Sequence, residues 1–168
     1  QTSDVRFVDT VSFAAKGDTV LGLELGGVFK SLHFAGEAQW TKVNAYRAGD
    51  IATGLDAFAG GSAVTPMGDP TFLGGYGEMG WFFTGETRGY KDGGWNRTKV
   101  LKPFNKGGWG ALQLVGRVDF LDLNDDKLQA GVTNNFANGT STLTALNTRL
   151  GRGGTQTGYL LGLNWYPI

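Results

Sequence analysis

Cysteine is absent, histidine occurs once, proline four times, and 15 acidic residues cancel 15 basic ones. Without cysteine there is no disulfide framework, no thiolate metal site and no cysteine nucleophile. A single imidazole excludes a histidine-cluster metal centre, and neither a metal nor another cofactor is expected. A net charge of zero lacks the basic excess of a nucleic-acid binder, so no nucleic-acid partner is expected. No apolar run of about 18 residues occurs, so no segment is suited to cross a bilayer as a helix. The sequence does not open on a basic stretch and an apolar core, so no attached signal peptide is expected. None of this excludes crossing by strands, whose alternating segments of about 10 residues carry a far weaker signal.

Glycine and aromatic residues are abundant. There are 29 glycines in 168 residues, more than twice an average usage of about 7%. Aromatics make up 12%, which argues against disorder. The length suits one domain over 1–168.

The periodicity is close to two throughout. In 107–123, Leu112, Leu114, Gly116, Val118 and Phe120 share one face, and Gln113, Val115, Arg117 and Asp119 share the other. At helical spacing Arg117 would fall among the leucines, so the strand reading holds. Similar alternation marks 19–30, 31–46, 71–86 and 155–166, and more weakly 5–13. The fold class read from this is all-β: about six long antiparallel strands.

The polar faces hold glycines between charges and few lysines, and only 18% of the chain is charged. A soluble exterior is normally richer in charge, at about 25–35% of the surface. The apolar faces carry Phe29, Trp40, Trp81, Phe83, Phe120, Tyr159 and Trp165 near their ends, like aromatic girdles at membrane interfaces. A barrel wall with lipid outside and water inside accounts for both features; a soluble β-barrel is the alternative. On the membrane reading Leu21, Leu23, Leu25, Phe34, Trp40, Met79, Trp81, Phe83, Leu112, Leu114, Phe120, Leu161, Leu163 and Trp165 point outward. Glu24, Glu37, Glu78, Arg117, Asp119 and Asn164 point into the lumen, with Glu86 on the same side.

The connections differ in length. Lys30-Ser31 is a tight turn, whereas 47–70 and 124–154 are long and rich in Gly, Asn, Thr and Ala. Short periplasmic turns and long extracellular loops are the barrel pattern, so 47–70 and 124–154 are expected to be extracellular. Segment 87–106 carries six of the 15 basic residues. It is expected to stay in water or fold against the lumen, where Arg97, Lys99 and Lys102 become candidate anion contacts.

Three stretches carry a resemblance: GGVFKSLHFAGEAQW at 26–40, GGYGEMGWFFTGETRGYKDGGWNRTKVLKPF at 74–104, and GWGALQLVGRVDFLDLNDD at 108–126 followed by LGLNWYPI at 161–168. They resemble the phosphate-selective porin O and P family of Gram-negative outer membranes. The aromatic-TGE-x-R-x-Y run at 83–90, Pro103-Phe104, Trp109, LDLND and LGLNWYP are its most specific parts. The resemblance implies a barrel of about 16 strands, of which this chain is expected to be an internal, second-half piece. It further implies a bacterial outer-membrane location and passive diffusion of small solutes, with anions or phosphate as cargo. The implied partners are outer-membrane lipid and lipopolysaccharide, further strands of its own barrel or another chain, and a possible homotrimer. A structural or interaction subunit lending strands to a larger assembly is the second reading; a soluble lipocalin-like binder is the third.

Other motifs fit ordinary roles. Gly75-x-Gly77-x-x-Gly80 matches a dinucleotide fingerprint in letters, but it sits inside a strand instead of opening a helix. Asp122-x-Asn124-x-Asp126 starts like a calcium loop, yet Lys127 and Thr133 stand where glycine and glutamate are required. His33 and Ser31 lie about 6.6 Å apart along a strand, too far for a nucleophile–base pair. No catalytic residue is expected, and no enzymatic function.

Overall fold

A computed structural model describes residues 8–10, 13, 15–46, 62–128, 132–137, 140–145 and 153–168. The described chain is all-β, apart from two 3-10 turns at Phe104–Lys106 and Asp126–Leu128. None of its helices is long and apolar enough to cross a membrane, which says nothing about crossing by strands.

Five long strands make one sheet: β1 (Ala15–Phe29), β2 (Leu32–Ala45), β4 (Thr71–Phe82), β7 (Ala111–Asp122) and β10 (Thr155–Tyr166), in the order β1-β2-β4-β7-β10. Backbone bonds and an ion pair set the register. Val43 N–H donates to Pro70 O and Phe82 N–H to Ser31 O, so β2 and β4 run antiparallel. Phe83 N–H donates to Leu112 O, and Arg117 pairs with Glu78, so β4 and β7 are antiparallel as well. Among the described residues this order is open, with β1 and β10 at its ends.

These strands fall close to the segments expected from alternation. The differences are at ends. β4 stops at Phe82 instead of 86: Leu112 N–H bonds to the Thr84 side chain in place of a backbone carbonyl, and Gly85 N–H turns back to Phe82 O. β7 begins at Ala111 instead of 107 because Gly110 has φ 79. Residues 8–10 and 13 lie outside any strand, and the rest of the strand expected at 5–13 falls outside the described residues.

The stretches read as loops contain small sheets. β3 (Ser62–Thr65), β8 (Val132–Ala137) and β9 (Thr140–Ala145) form a three-stranded sheet in the order β3-β8-β9. Between β8 and β9 the sequence is Asn138-Gly139, a strong two-residue hairpin signal. In 87–106, β5 (Gly89–Lys91) pairs antiparallel with β6 (Gly94–Asn96). Asp92 and Gly93 join them with φ 52 and 81, the positive values that a type I′ hairpin turn demands.

The chain divides into two compact units, 1–21 with 39–74 and 121–156, and 22–38 with 75–120 and 157–168. In the first unit the LDLNDDK run 121–127 is a knot of hydrogen bonds. The Asp125 carboxylate accepts from Thr71 N–H at 2.8 Å, Thr71 Oγ1 at 3.0 Å and Lys127 N–H at 2.8 Å. Burial raises the Asp125 pKa, but these donors and the Lys127 ammonium outweigh it and hold the carboxyl below its ordinary value. Asp122 and Asn124 are engaged with Thr155 and Gly154. Asp69 accepts from Ala45 N–H and pairs with Lys42. The acidic run is therefore structural, and no metal-binding cluster occurs among the described residues.

Candidate channel-lining face

The second unit carries both faces of the central strands, and their burial is inverted relative to a soluble sheet. The apolar face is bare: Leu161 is 79% exposed, with Leu23, Met79 and Trp81 also exposed. The polar face is covered around Gln113 and His33, which are 2% and 7% exposed. A water-soluble sheet buries its leucines and solvates its glutamine. An exposed apolar band over a polar interior is the pattern of a transmembrane barrel wall.

The polar face is built around Gln113 of β7. Its Oε1 accepts from Asn164 Nδ2 at 3.1 Å and from Tyr166 Oη at 2.7 Å, both on β10. In this orientation of the amide, Gln113 Nε2 donates to His33 Nε2 of β2 at 3.0 Å. The other ring nitrogen, Nδ1, which carries the proton when Nε2 accepts, is buried without a partner. Between His33 and Gln113 lies β4, and there the residue is Gly80. A Cβ at Gly80 would stand 2.2 Å from His33 Cε1 and 3.0 Å from Gln113 Nε2. The glycine is what lets two polar side chains meet across an intervening strand.

Toward the middle of the strands sits Arg117. It pairs with Asp119 at 2.7 Å and Glu78 at 3.4 Å, and it lies over the Tyr76 ring at 3.8 Å. The expected lumen residues Glu78, Arg117 and Asp119 are thus brought together as one cluster. Two carboxylates against one guanidinium leave it one negative charge. Glu37 is half-buried on β2 and Glu24 is exposed on β1, and neither joins that cluster.

Segment 87–106 contributes in two parts. The TGE turn clamps it to the sheet. Thr84 Oγ1 accepts from Leu112 N–H at 3.0 Å and donates to the buried Glu86 carboxylate, which also accepts from Leu101 N–H at 3.1 Å. The hairpin β5–β6 then lies against the polar face, with the Trp95 ring edge-on to His33 at 5.5 Å and to Tyr90 at 5.6 Å. Arg88 stands over Trp95 at 5.8 Å. Beyond the hairpin, Arg97, Lys99 and Lys102 are exposed. Arg97 and Lys99 share a groove with Lys106 and Ile168, which does not include Lys102. From this segment it is Arg88 and Trp95 that line a cavity with His33, Gln113 and Asn164. Sequence reasoning passed over Arg88, Trp95 and Tyr166. Arg88 and Tyr166 showed only as letters of the TGE-x-R-x-Y and NWYP motifs, and Trp95 lies in neither.

The model of the family described as "Phosphate-selective porin O and P" matches residues 1–168. The chain belongs to that family. It is similar to an uncharacterized protein of Caulobacter vibrioides, 34% identical over 166 residues, covering 99% of this chain and 25% of that protein. The chain therefore spans a quarter of the length of that relative. No solved structure matches it. Membership in the porin O and P family supports a porin-like, non-enzymatic role and an outer-membrane setting; phosphate enters through the family description alone.

Proposed function

We propose that this chain is part of the wall of an outer-membrane diffusion channel that passes small anions, phosphate-containing solutes among them. The observation that carries the reading is the inversion within β7 and its neighbour: Val118 is exposed on β7 and Leu161 bare on β10, while Gln113 is enclosed on β7 among partners from β2 and β10. Lipid accounts for the first and a polar lumen for the second. Strands β1 and β10 each have one neighbour in the sheet order. Unpaired backbone groups in hydrocarbon cost several kcal/mol each. Further strands, from the same barrel or another chain, therefore belong to this proposal.

Anion preference cannot come from the carboxylate-rich strands alone, because the Glu78–Arg117–Asp119 cluster is net negative. The exposed bases Arg97, Lys99 and Lys102 supply the opposing field, since charged groups near a pore set the sign of the permeating ion. Reversal potentials in a KCl gradient across a planar bilayer test this. Neutralising Arg97, Lys99 and Lys102 together lowers anion preference if they set it. Unchanged selectivity in the triple variant would place the filter elsewhere, and absence of any conductance would sink the channel reading.

A further inference from the structure

The cavity between the β5–β6 hairpin and the polar face, about 190 Å³, is lined by His33 and Arg88, each with a buried nitrogen that makes no hydrogen bond in the described fold. His33 Nδ1 is buried without a partner, and it carries the ring proton when Nε2 accepts from Gln113. Arg88 Nε is likewise buried without a partner. Arg88 forms no ion pair among the described residues, whereas Arg117 is claimed by Asp119 and Glu78. Buried donors are nearly always satisfied, so two orphans in one cavity point to an acceptor from outside the chain.

Charge and shape narrow that acceptor. Glu78 also lines the cavity, and its cluster has one surplus negative charge. One unpaired guanidinium matches one negative charge; a divalent oxyanion would bring a second beside Glu78. Between these polar groups the lining includes Trp95, Tyr166 and Val115, which suits a flat apolar body. We propose that this cavity binds a small organic monocarboxylate. Its carboxylate accepts from Arg88 and His33, and its apolar body lies against Trp95. This rests on the channel reading in one respect, that solute in the pore reaches the polar face.

Benzoate is the probe, titrated calorimetrically into the protein in lipid nanodiscs, with planar-bilayer currents recorded from the same preparation. Saturable binding is expected, weakened about tenfold or more in Arg88→Gln, because a charge-assisted contact is lost. Lys91→Gln, at the exposed hairpin, leaves binding unchanged. If Arg88→Gln loses its strand signal in circular dichroism, Arg88→Lys serves instead: it keeps the charge but lacks the Nε–H, and binding falls. Benzoate that does not saturate, that binds the folded Arg88 variant equally, or that inorganic phosphate displaces at equal concentration overturns the inference. Current without benzoate binding refutes this site and leaves the channel; binding without current does the reverse.

Discussion

Gly80→Ala should be among the most damaging single-methyl changes in the sheet. The added carbon would lie 2.2 and 2.3 Å from Cε1 and Nε2 of His33, whereas carbon atoms rest at about 3.5–4.0 Å. The imidazole has to retreat by about 1.3 Å, and Phe82 and Trp95 stand beside it. The Gln113 bond, now 3.0 Å, does not survive such a shift. Overpacking costs about 1–3 kcal/mol, and a lost buried hydrogen bond about 0.5–1.5 kcal/mol. A net loss of about 2–4 kcal/mol is expected. The assay is urea unfolding of the protein in lipid vesicles, followed by tryptophan fluorescence. Gly77→Ala is the control, because nothing lies within 4 Å of its added carbon; it should stay within about 0.5 kcal/mol of the parent. His33→Ala should relieve part of the Gly80→Ala loss, since contacting residues are non-additive. Gly80→Ala as stable as Gly77→Ala would refute the argument.

Leu161→Arg separates the membrane reading from a soluble one: at an exposed site in water it is nearly neutral, but in mid-bilayer it costs about 2–4 kcal/mol by the same titration. Thr84→Val removes the acceptor for Leu112 N–H and the donor to buried Glu86, and should cost about 1–3 kcal/mol. Asp125 gives a pH signature. Its folded pKa is depressed, so its contribution is complete above the ordinary aspartate value of about 3.9 and is lost as pH falls through the lower folded value. The stability gap between parent and Asp125→Asn should therefore be constant near neutrality and narrow as pH falls below about 4; a gap that stayed constant down the acid range would contradict the assignment.

Strand positions were legible because alternation over a dozen residues is a strong, local signal: 155–166 was read with the bounds the structure has. Strand ends were not, since they depend on partners elsewhere. Thr84 ends β4 by serving Leu112, 28 positions away. The hairpins at 89–96 and 132–145 had local signals in Asp92-Gly93 and Asn138-Gly139, which the basic and polar character of their surroundings masked. The Glu78–Arg117–Asp119 cluster was half legible: alternation put the three on one side, but only register makes Glu78 the neighbour of Arg117. The His33–Gly80–Gln113 arrangement was not legible at all. Its members sit on three strands, and the middle one matters by having no side chain.

The β5–β6 hairpin has only three residue pairs, and a two-stranded ladder that short is marginal by itself. It is held at one side by the Thr84–Glu86 clamp and at its inner side by Trp95. Elements of this kind open locally at a free energy well below that of the whole fold. Amide hydrogens of Tyr90 and Trp95 should therefore exchange with deuterium long before those of Gln113 and Leu114, and recordings of single channels should flicker on the microsecond-to-millisecond timescale of such openings, a noise that a disulfide tying the hairpin to the sheet would silence.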